Sequence, residues 1–244
     1  MRERPILFSA PMVRAILDGS KTQTRRAIKQ QPVPDPMWGG GFKIVSKAVT
    51  VALEAFNRSR GVPRGNDPTP CPYGKPGERL WVREKFQPIF ADGFDHSSSP
   101  YPDYETGYGY AISYPATDGI VEWIDGDDNI TDRCRPSIHM PRWASRILLE
   151  IVSVRVERLN DIGADDAASE GIENKNFPTG GDDYQDYWLD YSRSKHDADG
   201  WPWFLGDPIT SFRTLWESIN GEGSWRENPW VWVVEFKRIL PEEV

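Results

Sequence analysis

The chain has 244 residues, room for one large domain or two small ones, and a globule of that size buries roughly 70–75% of the surface its unfolded chain exposes without help from a disulfide or a metal. Only 38% of the residues are hydrophobic while 11 are Trp, which predicts a core made of a few large rings. A net charge of −8 argues against coating long duplex DNA, and no apolar run reaches the ~18 residues of a membrane span.

Ile6-Leu7-Phe8 predicts a strand or the entry to one. Ser9 stands where a helix cap is wanted and Pro11 in the first turn; Met12, Val13, Ile16 and Leu17 then recur at helical spacing. Gly19 is a natural left-handed stop, so Ser20–Arg26 begins where a helix has ended and the chain turns. Residues 30–78 are rich in Pro and Gly and read as a long excursion with one short element within 43–56. Leu80–Glu84 predicts a strand behind the turn at Tyr73–Gly77. Residues 87–107 read as loop, and Tyr108–Tyr114 with Ile120–Ile124 as a hairpin around Ala116–Gly119. The strongest strand signal is Ser145–Leu159, where Val152, Val154 and Val156 alternate with Ser153, Arg155 and Glu157. Ala164–Glu170 predicts a short helix with Asp165 and Asp166 in its first turn, followed by Gly171. Residues 172–206 read as an insertion crowded with Tyr and Trp. Asp207-Pro208 caps an amphipathic helix that runs to about Asn220 on the stripe Ile209, Phe212, Leu215, Trp216 and Ile219. Trp230–Ile239 is the last predicted strand. Scattered strands, few helices and long loops imply a mostly β, α+β chain, a small barrel carrying insertions in a single domain.

The charge is unevenly placed. Arg2, Arg4, Arg14, Lys21, Arg25, Arg26 and Lys29 against Glu3 and Asp18 give the first 30 residues +5 and leave −13 on the rest. A basic segment on an acidic body suits a small anionic ligand or one nucleotide better than a duplex. No signal-peptide pattern is visible, so a cytoplasmic location with reduced Cys71 and Cys134 is expected. His96, His139, His196 and the two cysteines show no metal-ligand spacing, so no metal or cofactor is expected. Arg142 and Trp143 lie in a basic and aromatic run, Arg135–Arg146, of a kind that stacks a base and holds a phosphate.

The opening Arg4–Arg26, with its run Gly19-Ser20-Lys21-Thr22-Gln23-Thr24-Arg25-Arg26, resembles the start of ASCH-domain proteins, relatives of the RNA-binding PUA fold, in their longer phage and prophage forms. Gly77–Glu84, Ile151–Gly171 and Trp230–Phe236 extend the resemblance to about half of the chain. Insertions at about 30–75, 87–145 and 172–206 fall outside it. The resemblance implies a PUA-like barrel. One branch of the family removes the acyl group from N4-acetylcytidine, and its catalytic Lys, Thr and Glu carry over to Lys21, Thr24 and Glu170.

Cutting an amide requires a nucleophile, a base that activates it and a group that steadies the leaving amine. Thr24 would attack, Lys21 would take its proton if burial or the cations Arg25 and Arg26 depressed its pKa, and Glu170 would assist. Phe8, Arg25, Arg26, Glu84, Arg142 and Trp143 are the candidate substrate contacts. Positions 21 and 24 face opposite ways on a straight strand, so the chain must bend between them. Two further readings stay open: a non-catalytic module that binds RNA or a modified nucleotide, and a phage accessory protein that binds a host protein through its aromatic insertions.

Overall fold

A computed structural model describes residues 2–29, 31, 33–35, 41–43, 71–90, 110–124, 129–180, 183–193 and 202–240. The element expected within 43–56 lies outside these residues beyond Lys43. The chain opens with β1 (Glu3–Leu7) and α1 (Ala10–Asp18). Ser9 holds the N-cap position through its carbonyl, which accepts from Val13 N–H at 2.9 Å, and its side chain makes no cap hydrogen bond. Gly19 ends the helix at φ +87°. Then come β2 (Gln23–Ala27), the hairpin β3 (Val33–Asp35) and β4 (Gly41–Lys43), β5 (Arg79–Arg83), β6 (Gln87–Phe90), β7 (Tyr110–Ser113), β8 (Trp123–Ile124) and β9 (Ile130–Thr131). Two 3-10 turns, Ser137–His139 and Arg142–Ala144, lead to the long β10 (Leu148–Arg158). The rest comprises α2 (Ala164–Ser169), β11 (Asn174–Gly180), β12 (Asp183–Leu189), β13 (Phe204–Leu205), α3 (Pro208–Asn220) and β14 (Trp230–Ile239).

The chain is α+β with a sheet-rich core. Its main sheet has the order β1-β5-β10-β14-β2, parallel only between β1 and β5. Among the described residues no ladder joins β1 to β2, so the sheet is open and does not close into the expected barrel. A side chain spans the gap instead: Arg26 Nη2 donates to Leu7 O at 2.7 Å. Alternation along β14 divides two cores. Trp232, Val234 and Phe236 face a cluster with Phe8, Val13, Leu80 and Leu149. Val231 and Val233 face a second cluster, in which Phe212 and Trp216 of α3 pack over Leu159 and Ala167. Among the described residues no helix is long and apolar enough to cross a membrane.

Two expectations are corrected. Residues 120–124 do not pair with β7, which pairs with β6 in the stretch read as loop. The Gln87 side chain replaces the missing partner, donating to Val121 O at 2.6 Å and accepting from Val121 N–H at 3.1 Å. A side-chain amide that imitates a strand carries no periodic signal. The insertion at 172–206 also holds a three-stranded sheet, β11-β12-β13, hidden in the sequence by its polar and aromatic alternation.

Candidate functional site

The site forms where β2, the edge of the main sheet, meets the end of α2. Left-handed Gly19 turns the chain out of α1, and Lys21 N–H returns to Ala15 O at 2.9 Å. Lys21 then forms an isolated antiparallel bridge with Glu170, and Thr22 N–H donates to Ser169 O at 3.0 Å. This places Lys21 just before the regular strand β2.

The Lys21 side chain is fully buried and that of Glu170 is 4% exposed. Nζ donates to the Glu170 carbonyl at 2.5 Å and to its Oε2 at 3.2 Å. The other carboxylate oxygen, Oε1, accepts from Arg25 Nη1 at 3.1 Å. One carboxylate thus serves two buried cations. Burial, the largest influence, pushes the Lys21 ammonium below the ordinary lysine range; Glu170 opposes it with its charge and hydrogen bond, and Arg26 and Arg25 push further down. The ammonium lies 5.5 Å from the centre of the Phe8 ring, and the Arg26 guanidinium lies 5.4 Å from it. Thr24 is paired with Val234, which faces the core that holds Phe8. The Thr24 hydroxyl forms no hydrogen bond among the described residues, and Thr24 and Glu170 border one crevice of about 60 Å³.

Behind Glu170 lies a second layer. Arg25 Nη2 donates to Asp166 Oδ2 at 2.6 Å and to Glu157 Oε2 at 3.2 Å. Arg155 Nη2 meets the same Asp166 oxygen at 2.8 Å and also pairs with Glu157 and Glu235. In the sequence Asp166, Arg155 and Glu157 read only as helix and strand positions, and Glu235 carried no signal of its own. The alternating polar positions of β10 were the available signal: they cannot tell a solvated face from one turned toward another charged strand. Desolvation raises the Asp166 pKa, but the hydrogen bond and charge of Arg25, with help from Gln23 and Arg155, outweigh it and hold the carboxyl below the usual Asp value. A depressed carboxyl contributes stability above its unfolded pKa of ~3.9 and loses it as pH falls through the lower folded value. Wild-type protein is therefore expected to lose urea resistance more steeply than Asp166→Asn on acidification from about pH 5 to 2.5, as followed by unfolding midpoints. Parallel curves would remove Asp166 from the acid response.

The remaining candidates are placed as follows. Phe8 is buried against Phe236, with ring centres 6.1 Å apart, so its faces are not open to a base. Both Glu84 oxygens are held by Arg146 at 3.0 Å, and Arg146 stacks on Tyr114 at 3.9 Å. Arg142 bonds Glu3 at 2.6 Å, at the opposite end of β1 from Leu7, ~13 Å away by strand rise. Trp143 is exposed beside it. Much of the N-terminal positive charge meets internal partners: Arg4 pairs with Glu78, Arg14 bonds the Ala116 carbonyl, and Arg25 serves three carboxylates. Cys71 sits in the main core, where desolvation pushes its thiol pKa up. No group of metal-ligating side chains occurs among the described residues; His96 and His196 lie outside them. No protein-family model, curated protein or solved structure matches the chain.

Proposed function

We propose that this chain is an amidohydrolase that removes an acyl group from the exocyclic amine of an N4-acylated cytidine or related nucleoside, on an open variant of the PUA-like ASCH barrel. One observation carries the reading. Lys21 and Glu170, which the resemblance singles out from distant parts of the chain, meet in a buried ion pair, and Glu170 shares a crevice with Thr24.

Lys21, in its neutral form, takes the Thr24 proton as Oγ1 attacks the acyl carbon and the carbonyl π electrons move to oxygen. Collapse restores the carbonyl and breaks the C–N bond, and the departing amine takes the proton from Lys21. Water then repeats the sequence on the acyl-Thr24 ester and releases the carboxylic acid. Glu170 holds the amine of Lys21 in place throughout. Base assistance of this kind is worth about 10²–10⁴-fold. The burial that depresses the Lys21 pKa supports this role, because it raises the neutral fraction near neutral pH. The reading as a nucleotide-binding module gains less support, since Phe8 is enclosed and Arg25 is committed to carboxylates.

Purified protein incubated with N4-acetylcytidine is expected to yield cytidine and acetate by chromatography. Thr24→Ala should lower the rate by about 10³-fold or more, while Thr24→Ser retains part of it. Absence of turnover by the wild type, or an undiminished rate in Thr24→Ala, would reject the mechanism.

A further inference from the structure

The crevice beside Thr24 is chemically lopsided. Thr24, Glu170, Asn220 and the two arginines of β2 contribute its polar side, while Met12 of α1 and Phe212, Leu215 and Ile219 of α3 stand among its apolar walls. Its volume is about 60 Å³, far below the ~300–1,000 Å³ of ordinary ligand pockets. An acetyl group suits a space that small; a benzoyl ring, or the cytosine ring itself, is well beyond it. The main chain adds a donor. Phe236 N–H donates to Thr22 O at 2.8 Å, and Ile28 N–H to Trp230 O at 3.0 Å. The alternation of an antiparallel ladder then turns residues 24 and 26 toward β14 and leaves the N–H of Arg25 on the open edge of β2, where the crevice runs.

We propose that this crevice is the acyl subsite and that its α1 and α3 walls restrict the enzyme to short aliphatic acyl groups; the inference rests on the amidohydrolase reading. The acyl carbonyl would sit between the Thr24 hydroxyl and the Arg25 N–H, a donor placed where negative charge develops as Thr24 attacks. The alkyl end would lie against Met12 and Leu215. The base and sugar, too large for the crevice, would remain outside it.

The test compares kcat/KM for N4-acetyl-, N4-butyryl- and N4-benzoylcytidine in the full chain and in Leu215→Ala and Met12→Ala, which shorten lining side chains of α3 and α1. Small apolar pockets discriminate by about 10- to 200-fold per unit of misfit, so wild type should favour acetyl over benzoyl by at least ~50-fold. Either wall variant should raise the benzoyl-to-acetyl ratio about tenfold. Equal wild-type rates, or a ratio unmoved in both folded variants, would overturn the subsite. If the wild type hydrolyses none of the three, the amidohydrolase reading fails, and the crevice is then tested without catalysis. The indole N–H resonance of Trp216, which also lines it, is assigned by loss in Trp216→Phe and followed during titration with acetamide and with benzamide. A saturable shift with acetamide alone supports a small-acyl pocket; no shift with acetamide, or equal shifts with both, overturns it.

Discussion

Glu170→Ala is expected to destabilise the protein by about 3–5 kcal/mol, because it removes the counter-charge from a cation that has no route to solvent. The side chains of Lys21 and Arg25 are both fully buried, and each bonds one Glu170 oxygen. Their losses differ. Arg25 keeps Asp166 and Glu157, whereas Lys21 keeps only the carbonyl of residue 170. Lys21→Met should therefore cost less than Glu170→Ala, since Arg25 still neutralises the carboxylate. Lys21→Met combined with Glu170→Leu should cost less than the sum of the two single changes, the coupling expected of residues in direct contact. Urea unfolding of the four proteins measures this, and additive costs would show that the pair is not coupled. The pH dependence carries a definite sign. The folded protein holds the Lys21 proton more weakly than the unfolded chain does, so this group's contribution to stability rises with pH between its depressed folded pKa and the ordinary lysine value near 10.4. Removing Glu170 removes the influence that favours the charged form. The Glu170→Ala deficit should accordingly shrink with rising pH up to the depressed folded pKa of Lys21 and level off above it.

The parts of this site that were legible in the sequence are those written by local chemistry. Gly19 marks the end of α1, Asp207-Pro208 marks the start of α3 through hydrogen bonds from Ile209 and Thr210 N–H, and the valine alternation of β10 marks the longest strand. What local patterns could not express is which strand lies beside which. Arg25 read as a cation available for a ligand, yet register with Val233 turns it toward the carboxylates of α2 and β10, where it becomes a support for Glu170. Glu84 read as a candidate substrate contact, but Arg146, 62 residues away, takes both its oxygens. The open sheet has the same origin. Strand content suggests closure, whereas no ladder joins the two edges among the described residues, and the Arg26 side chain bonds the Leu7 carbonyl there, a contact that no periodicity announces.

Gly171→Ala is expected to damage the site more than any other single methyl group added to it. The residue follows Glu170 at φ +76°, and a Cβ there would lie 2.6 Å from Lys21 Cβ and 2.8 Å from Ala15 Cβ. Neither neighbour is the free end of a flexible chain: Lys21 is fixed by its bridge to Glu170, and Ala15 lies inside α1. A left-handed backbone costs a non-glycine residue roughly 1–2 kcal/mol, and overpacking a fixed core adds about 1–3, so a total of about 2–5 kcal/mol is expected. Gly19→Ala supplies the comparison. Gly19 has φ +87°, but nothing lies within 4 Å of its added Cβ, so only the backbone cost of roughly 1–2 kcal/mol applies. The difference between the two variants isolates the close approach of α1, Lys21 and the end of α2, which is the contact that presents the lysine to Glu170. Gly171→Ala should also lose N4-acetylcytidine turnover at temperatures where it remains folded, while Gly19→Ala keeps most of it, because only the former pushes on Lys21 itself. Equal unfolding costs for the two would mean that the junction yields freely, and that the position of Lys21 is set elsewhere.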